Sequence, residues 1–230
     1  AVAQAMQTMK ENGAIDEKGM GNELGEMLIY AFLEGKLSAP KLMSRVELST
    51  DFSKYKSVCE SIHLLSSVNN DGMPFHQMVF GASGIVGDIG DAVDNAFDAI
   101  IRIKKHSTQE LHMVEKTAFN ISFNDHDIAF LKDIIIPKPN AQSNYNTAFG
   151  VFLGYSIGIN EDDCPNIDYK ELITQKMVTD IRHHAKYITD KIKENKLTAH
   201  SFYIYILPFM DAETNKCEIM EHVIKGAINL

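Results

Sequence analysis

Two glutamates in the sequence are of the kind that hold a metal ion. Glu26 lies on a predicted helix over residues 23–34, with Glu23 three positions before it, so both side chains project from similar faces. Glu60 begins a predicted strand. Carboxylate oxygens are the ligands that Mg²⁺ prefers, and a metal held in this way stabilises charge at phosphorus and activates water. The ordinary alternatives are a solvated helix carboxylate for Glu26 and a strand-edge charge for Glu60.

Basic and histidine side chains are the next candidates. Lys41 and Arg45 follow Pro40 at a spacing of four, and either contact phosphates or are plain surface charges, which is the favoured interpretation. His63 and His76 lie on the two strands of a predicted hairpin and in principle face each other. A metal site there needs a third ligand, which the sequence does not show, so structural histidines are favoured.

A glycine-rich loop, Gly81–Gly87, follows an apolar strand and precedes a helix, which is the local context of a dinucleotide-binding loop. Two features oppose that interpretation. Asp88 and Asp91 in the first helical turn would repel a bound phosphate, and no acidic strand end follows about 20 residues on to bind a ribose. We therefore favour a tight strand-to-helix turn packed in the core, with NAD(P) binding as the lesser alternative.

The elements that position these residues form a mixed pattern of helices and strands. A helix capped by Asn22 precedes a hairpin of two antiparallel strands with a tight turn at Asn70-Asp71-Gly72. The later predicted elements are helices over 88–105, 107–119 and 125–134, a strand over 148–159, a helix over 168–195, a central strand over 200–209 and a helix over 213–228. This order predicts an α/β fold with a mixed central sheet flanked by helices, in one domain over 1–230 with an N-terminal helical extension over 1–20.

Composition limits the class of protein. The net charge of −9 argues against a surface that binds nucleic acid throughout, although a local basic cleft or binding through a partner is compatible with it. The three cysteines are widely spaced and form no CxxC pair, which fits a reducing cytoplasm. No apolar run approaches the roughly 20 residues of a membrane helix. We expect a cytoplasmic protein without a membrane contact.

The pattern as a whole resembles the HamA family, the nuclease-like subunit of the bacterial Hachiman anti-phage system. Each matching block is weakly specific, and their order and spacing carry the resemblance. The blocks are Gly25-Glu26 within GNELGEMLIYAFL, APKLMSRVEL (39–48), ESIHLL (60–65), MVFGASGIVGDIGDAVDNAFDAI (78–100), AFGVFLGYS (148–156) and HSFYIYILPFMD (200–211).

The resemblance implies a PD-(D/E)xK (restriction-endonuclease-like) core, Mg²⁺-dependent cleavage or nicking of DNA, and a helicase partner encoded alongside. Glu26 matches the family's helix glutamate, and Glu60 stands where an aspartate is usual. Ala82-Ser83-Gly84 replaces the family's Glu-x-Lys and carries neither functional group, so Lys41 or Lys104 would have to supply the lysine. The alternative is a non-catalytic adaptor subunit on the same fold.

Overall fold

The computed structural model of the protein describes residues 22–44, 59–68, 71–121, 129–132, 134, 145–159 and 166–228. The predicted N-terminal extension over 1–20 and Arg45 lie outside the described residues. The helices and strands are α1 (Asn22–Gly35), β1 (Lys41–Ser44), β2 (Ser61–Val68), β3 (Pro74–Ile85), α2 (Ile89–Ile121), β4 (Asn146–Ser156), α3 (Asn166–Glu194), β5 (Ser201–Phe209) and α4 (Ala212–Ile228).

The five strands of the described residues form one mixed sheet in the order β1-β2-β3-β4-β5. β1, β2 and β3 pair antiparallel, whereas β3, β4 and β5 pair parallel through helical crossovers. The carboxyl ends of the three parallel strands therefore meet at one edge, which also holds the start of the antiparallel strand β2. The predicted mixed sheet flanked by helices is confirmed.

Helices cover both faces of this sheet. On one face α2 packs through Ala92, Val93, Ala96, Phe97 and Ile100, and Ile188 of α3 joins the same cluster. On the other face Leu24, Ile29 and Leu33 of α1 pack with Met220 of α4. Successive side chains of β3 point to opposite faces of the sheet, so they pack alternately into the cluster with α2 and the cluster with α1.

Three sequence-based details are wrong. α2 continues without a break to Ile121, because the residues after Lys105 include neither Gly nor Pro to end it. β5 lies at one end of the described strand order rather than in the centre. His63 and His76 do not face each other, because the hairpin register pairs His63 with Val79 and His76 with Ser66.

Candidate functional site

The carboxyl end of β3 is enclosed by two helices that approach it from opposite faces. A Cβ atom on Gly84 would lie 2.2 Å from the backbone oxygen of Ala92 in α2, and one on Gly25 of α1 would lie 2.0 Å from Ser83 Oγ. A Cβ on Gly81 would lie 2.6 Å from Ser61 Oγ. Close packing thus accounts for these glycines, as the interpretation of a packed strand-to-helix turn predicts.

The N-terminus of α2 is capped by its own chain. Asp88 Oδ1 accepts hydrogen bonds from the backbone N–H groups of Gly90 at 2.7 Å and Asp91 at 3.2 Å. These N–H groups are the ones that a pyrophosphate would use at a helix start. The Asp88 carboxylate stands in place of such an anion, which weighs against the dinucleotide interpretation.

A cavity of about 440 Å³ lies at the end of β3. Its polar lining combines carboxylates, cations and neutral groups from four different parts of the chain. Glu60 and Ser83 come from the start of β2 and the end of β3, three residues come from α2, and one comes from α4. The polar lining residues are Glu60, Ser83, Asn95, Asp98, Arg102 and Lys216.

Glu60 is held in place at the rim of the sheet. Its backbone N–H donates to the Gly81 carbonyl at 3.1 Å, and Ser83 Oγ donates to its Oε1 at 2.7 Å. Only 7% of Glu60 is exposed. The Ser83 hydroxyl therefore fixes the orientation of the Glu60 carboxyl group at the edge of the cavity.

The α2 side of the cavity presents Asn95, Asp98 and Arg102, whose spacing of three and four residues places them along one flank of the helix. Lys216 enters from α4, where its Nζ donates to the Ile85 carbonyl at 3.1 Å. Sequence reasoning missed all four residues. The polar side chains along one flank of α2 could have indicated the three residues on that helix. Lys216 could not be predicted, because its position at the cavity depends on how α4 packs in the fold.

The other candidates from the sequence lie apart from this lining. Glu26 is 7% exposed on α1, directly after Gly25, which packs against Ser83. The backbone N–H of Lys41 donates to Glu34 Oε1 at 3.1 Å, and its Nζ lies 5.7 Å from the centre of the Tyr30 ring. Lys104 donates to the carbonyls of Asn195 and Lys196 at the end of α3. The structure thus brings Glu60 and Ser83 together, whereas Glu26, Lys41 and Lys104 do not line the cavity.

Ala82 and Gly84 occupy the two positions where the resemblance places Glu and Lys. Both residues pack against α2. Ala82 is buried against α2 in the core cluster. At Gly84, a side chain of any length would collide with the backbone of Ala92. A lysine cannot be accommodated at Gly84 while α2 keeps its position, so any cation of this site must come from another element.

Two carboxylate side chains, those of Glu60 and Asp98, line this cavity. Among the described residues, no three His, Cys, Asp or Glu side chains are close enough to share a metal. Mg²⁺ is usually bound by one or two carboxylates together with waters and substrate phosphates. Glu60 and Asp98 are therefore the described carboxylates at this cavity that could hold such an ion.

The buried histidine of the sheet has a structural contact. The ring Nδ1 of His63 lies 2.9 Å from the Ala39 carbonyl, and the residue is fully buried. Burial lowers the pKa of His63, because a charged imidazole is poorly solvated there, and this outweighs the opposing effects of the Ala39 contact and Glu34. A neutral ring that donates to a carbonyl is the structural histidine that the sequence favoured.

The fold and the cavity define a mixed α/β protein with a charged site at the carboxyl end of its parallel strands, where open α/β sheets bind ligands. A family model described as HamA matches residues 1–223, and the chain belongs to the HamA family. Membership of this family suggests a subunit of the Hachiman anti-phage defence system. Neither a curated protein nor a solved structure matches the chain. No helix within the described ranges is long and apolar enough to cross a membrane.

Proposed function

We propose that the protein is a Mg²⁺-dependent DNA nuclease subunit with a PD-(D/E)xK-like core, acting with a helicase partner in anti-phage defence. The observation that carries the proposal is the cavity at the end of β3, because it combines Glu60 and Asp98 with Arg102 and Lys216. Carboxylates suit a divalent cation and cations suit a phosphate, and phosphodiester cleavage needs both. The helicase partner rests on the family membership alone.

Within this proposal each side chain has a defined task. Glu60 and Asp98 would hold the metal ion, and the Ser83 hydroxyl, which donates to Glu60 Oε1, orients that side chain. When bound, Mg²⁺ supplies charge stabilisation at phosphorus and a more acidic water. Arg102 presents a guanidinium that pairs with phosphate oxygens in a fixed geometry. Glu26 is buried on α1 directly after Gly25, the residue that packs against Ser83.

Plasmid cleavage tests this proposal. The protein, its partner helicase and Mg²⁺ are expected to cut plasmid DNA, and EDTA is expected to stop the reaction until Mg²⁺ is restored. Glu60→Gln should abolish cleavage and weaken Mg²⁺ binding measured by calorimetry. Glu171→Gln is the matched control, because Glu171 is an exposed carboxylate of α3 that contacts Gln175. If Glu60→Gln cuts as well as Glu171→Gln, the site is wrongly assigned.

A non-catalytic adaptor is the second candidate, and one specific observation favours it. Ala82 and Gly84 are packed against α2 and leave the Glu-x-Lys positions without chemistry. An adaptor would bind the helicase without cutting DNA under any metal condition. Co-purification with the helicase combined with persistent absence of cleavage would support the adaptor over the nuclease.

A further inference from the structure

We propose that Lys216 binds the substrate phosphate in the cavity, and that Glu213 is the anion from which Lys216 is released when the phosphate binds. This inference rests on the proposed function, because it names the group that holds the phosphodiester in the same site. Neither residue belongs to the Glu-x-Lys segment or to the motif blocks, so the sequence does not reveal the role.

Among the described residues, the contacts of Lys216 leave one of its hydrogen-bond donors available. Its Nζ donates to the Ile85 carbonyl at 3.1 Å and pairs with Glu213 Oε2 at 2.5 Å. An ammonium group has three donors, and these two contacts occupy two of them. The side chain is 12% exposed and lines the cavity. A phosphate oxygen that enters the cavity can therefore first contact the remaining donor and then take the place of Glu213 on Lys216.

The geometry of the strand end explains why this cation comes from α4. Gly84 cannot carry a side chain beside Ala92, and Lys104 lies at the junction of α2 with the end of α3. The Ile85 carbonyl that Lys216 contacts belongs to the last residue of β3, two positions beyond Ser83. Lys216 thus places its charge at the same strand end as the Glu60–Ser83 pair.

The start of α4 is fixed to the sheet, so Lys216 is held in place before any ligand arrives. The Ala212 N–H donates to Ser156 Oγ at 2.9 Å, which ties the helix to the end of β4. Asp211 Oδ1 accepts from the Thr214 N–H at 3.0 Å and caps the helix. A preorganised cation binds an anion without first losing conformational freedom.

Glu213 is a weak competitor for this cation. Its side chain is 56% exposed, and exposed ion pairs contribute little because water and salt screen them. A phosphate in the cavity can therefore replace the Glu213 carboxylate on Lys216. The effects of the two residues on DNA affinity must then have opposite signs, which a purely structural ion pair would not produce.

The test measures binding of a short fluorescein-labelled DNA duplex by anisotropy over a series of KCl concentrations, with Ca²⁺ in place of Mg²⁺. Each phosphate contact contributes about 0.9 to the slope of log K against log salt. Lys216→Met should reduce the magnitude of that slope by about 0.9, and Lys216→Arg should retain it. Lys104→Met is the matched control, because it removes the same charge from a lysine that also contacts carbonyl groups.

The Glu213 variant gives an independent measurement of the opposite sign. Glu213→Gln should tighten duplex binding several-fold at low salt, and Glu171→Gln, with the same charge change on α3, should leave it unchanged. The inference is overturned if Lys216→Met keeps the wild-type slope, if Glu213→Gln does not tighten binding, or if the wild-type protein binds no duplex. Failure of the nuclease proposal is a different result, namely wild-type binding with these signs but no cleavage in Mg²⁺.

Discussion

Replacing Gly25 by alanine should destabilise the protein, although the same change in most helices is stabilising. A helical Gly→Ala substitution normally gains about 1 kcal/mol. At Gly25 the new Cβ would lie 2.0 Å from Ser83 Oγ and 2.8 Å from Ser83 Cβ. Rotation of the serine relieves only the first contact, so α1 or β3 must also shift.

The expected magnitude follows from these contacts. Overpacking costs about 1–3 kcal/mol, and displacement of Ser83 costs its hydrogen bond to the Glu60 carboxylate, about 1.5–3 kcal/mol. After the helix-propensity gain is subtracted, the net loss is about 1.5–5 kcal/mol. Gly35→Ala is the matched control, because nothing lies within 4 Å of a Cβ at that end of α1.

A second substitution separates the clash from other effects. Ser83→Gly removes both contacting atoms, and alone it should cost about 2–4 kcal/mol through the lost hydrogen bond and the flexibility of glycine in a strand. The Gly25→Ala, Ser83→Gly double variant should be no less stable than Ser83→Gly alone. Urea unfolding followed by circular dichroism measures the stability of the two single variants, the double variant and the Gly35→Ala control. The reasoning is refuted if the two single effects add, or if Gly25→Ala is as stable as Gly35→Ala.

Three further predictions concern other parts of the fold. Because burial lowers the pKa of His63 below its ordinary 6.5, the unfolded chain binds more protons just below that pH, and stability falls as the pH drops through it. His63→Gln, which keeps a donor for the Ala39 carbonyl, should flatten the dependence of Tm on pH there, and an equally steep curve would contradict this. Asp88→Ala should cost about 1 kcal/mol in urea unfolding through loss of the α2 cap, whereas equal stability of Asp88→Ala and Asp88→Asn would show that the cap does not matter. Lys191→Met breaks the 2.7 Å pair with Asp94 between α2 and α3, and because that pair is partly exposed, a loss in thermal unfolding above about 1 kcal/mol would be unexpected.

The local elements of the fold were predictable where the signal is local. The Asn22 start of α1 and the two hairpin strands follow from capping, helical spacing and turn residues close in sequence. The position of β5 was not predictable, because its apolar side chains serve both faces even at the end of the strand order. Phe202 packs on Phe97 of α2, and Tyr205 stacks on Phe32 of α1. Helices on both faces give such a strand the composition of a central one.

The site was predictable only in part, for a related reason. Glu60 was found because a carboxylate at a strand end is visible in the sequence, and the loss of Glu-x-Lys is visible in the same way. Asp98 and Arg102 belong to the polar flank of an amphipathic helix, where charges are ordinarily solvated. Lys216 reaches the cavity only because α4 packs beside α1 and across the end of β3. Contacts between elements that are distant in the chain leave no periodic pattern in the sequence from which they could be predicted.

The central claim is that the cavity at the end of β3 is where this protein cuts DNA, and the cleavage rate of Glu60→Gln tests it most directly. With the helicase partner and Mg²⁺ present, we predict that this variant keeps its fold by circular dichroism and loses at least about a hundred-fold in rate, the scale on which single groups contribute to catalysis. A folded Glu60→Gln protein that cuts plasmid DNA at the wild-type rate would contradict the claim.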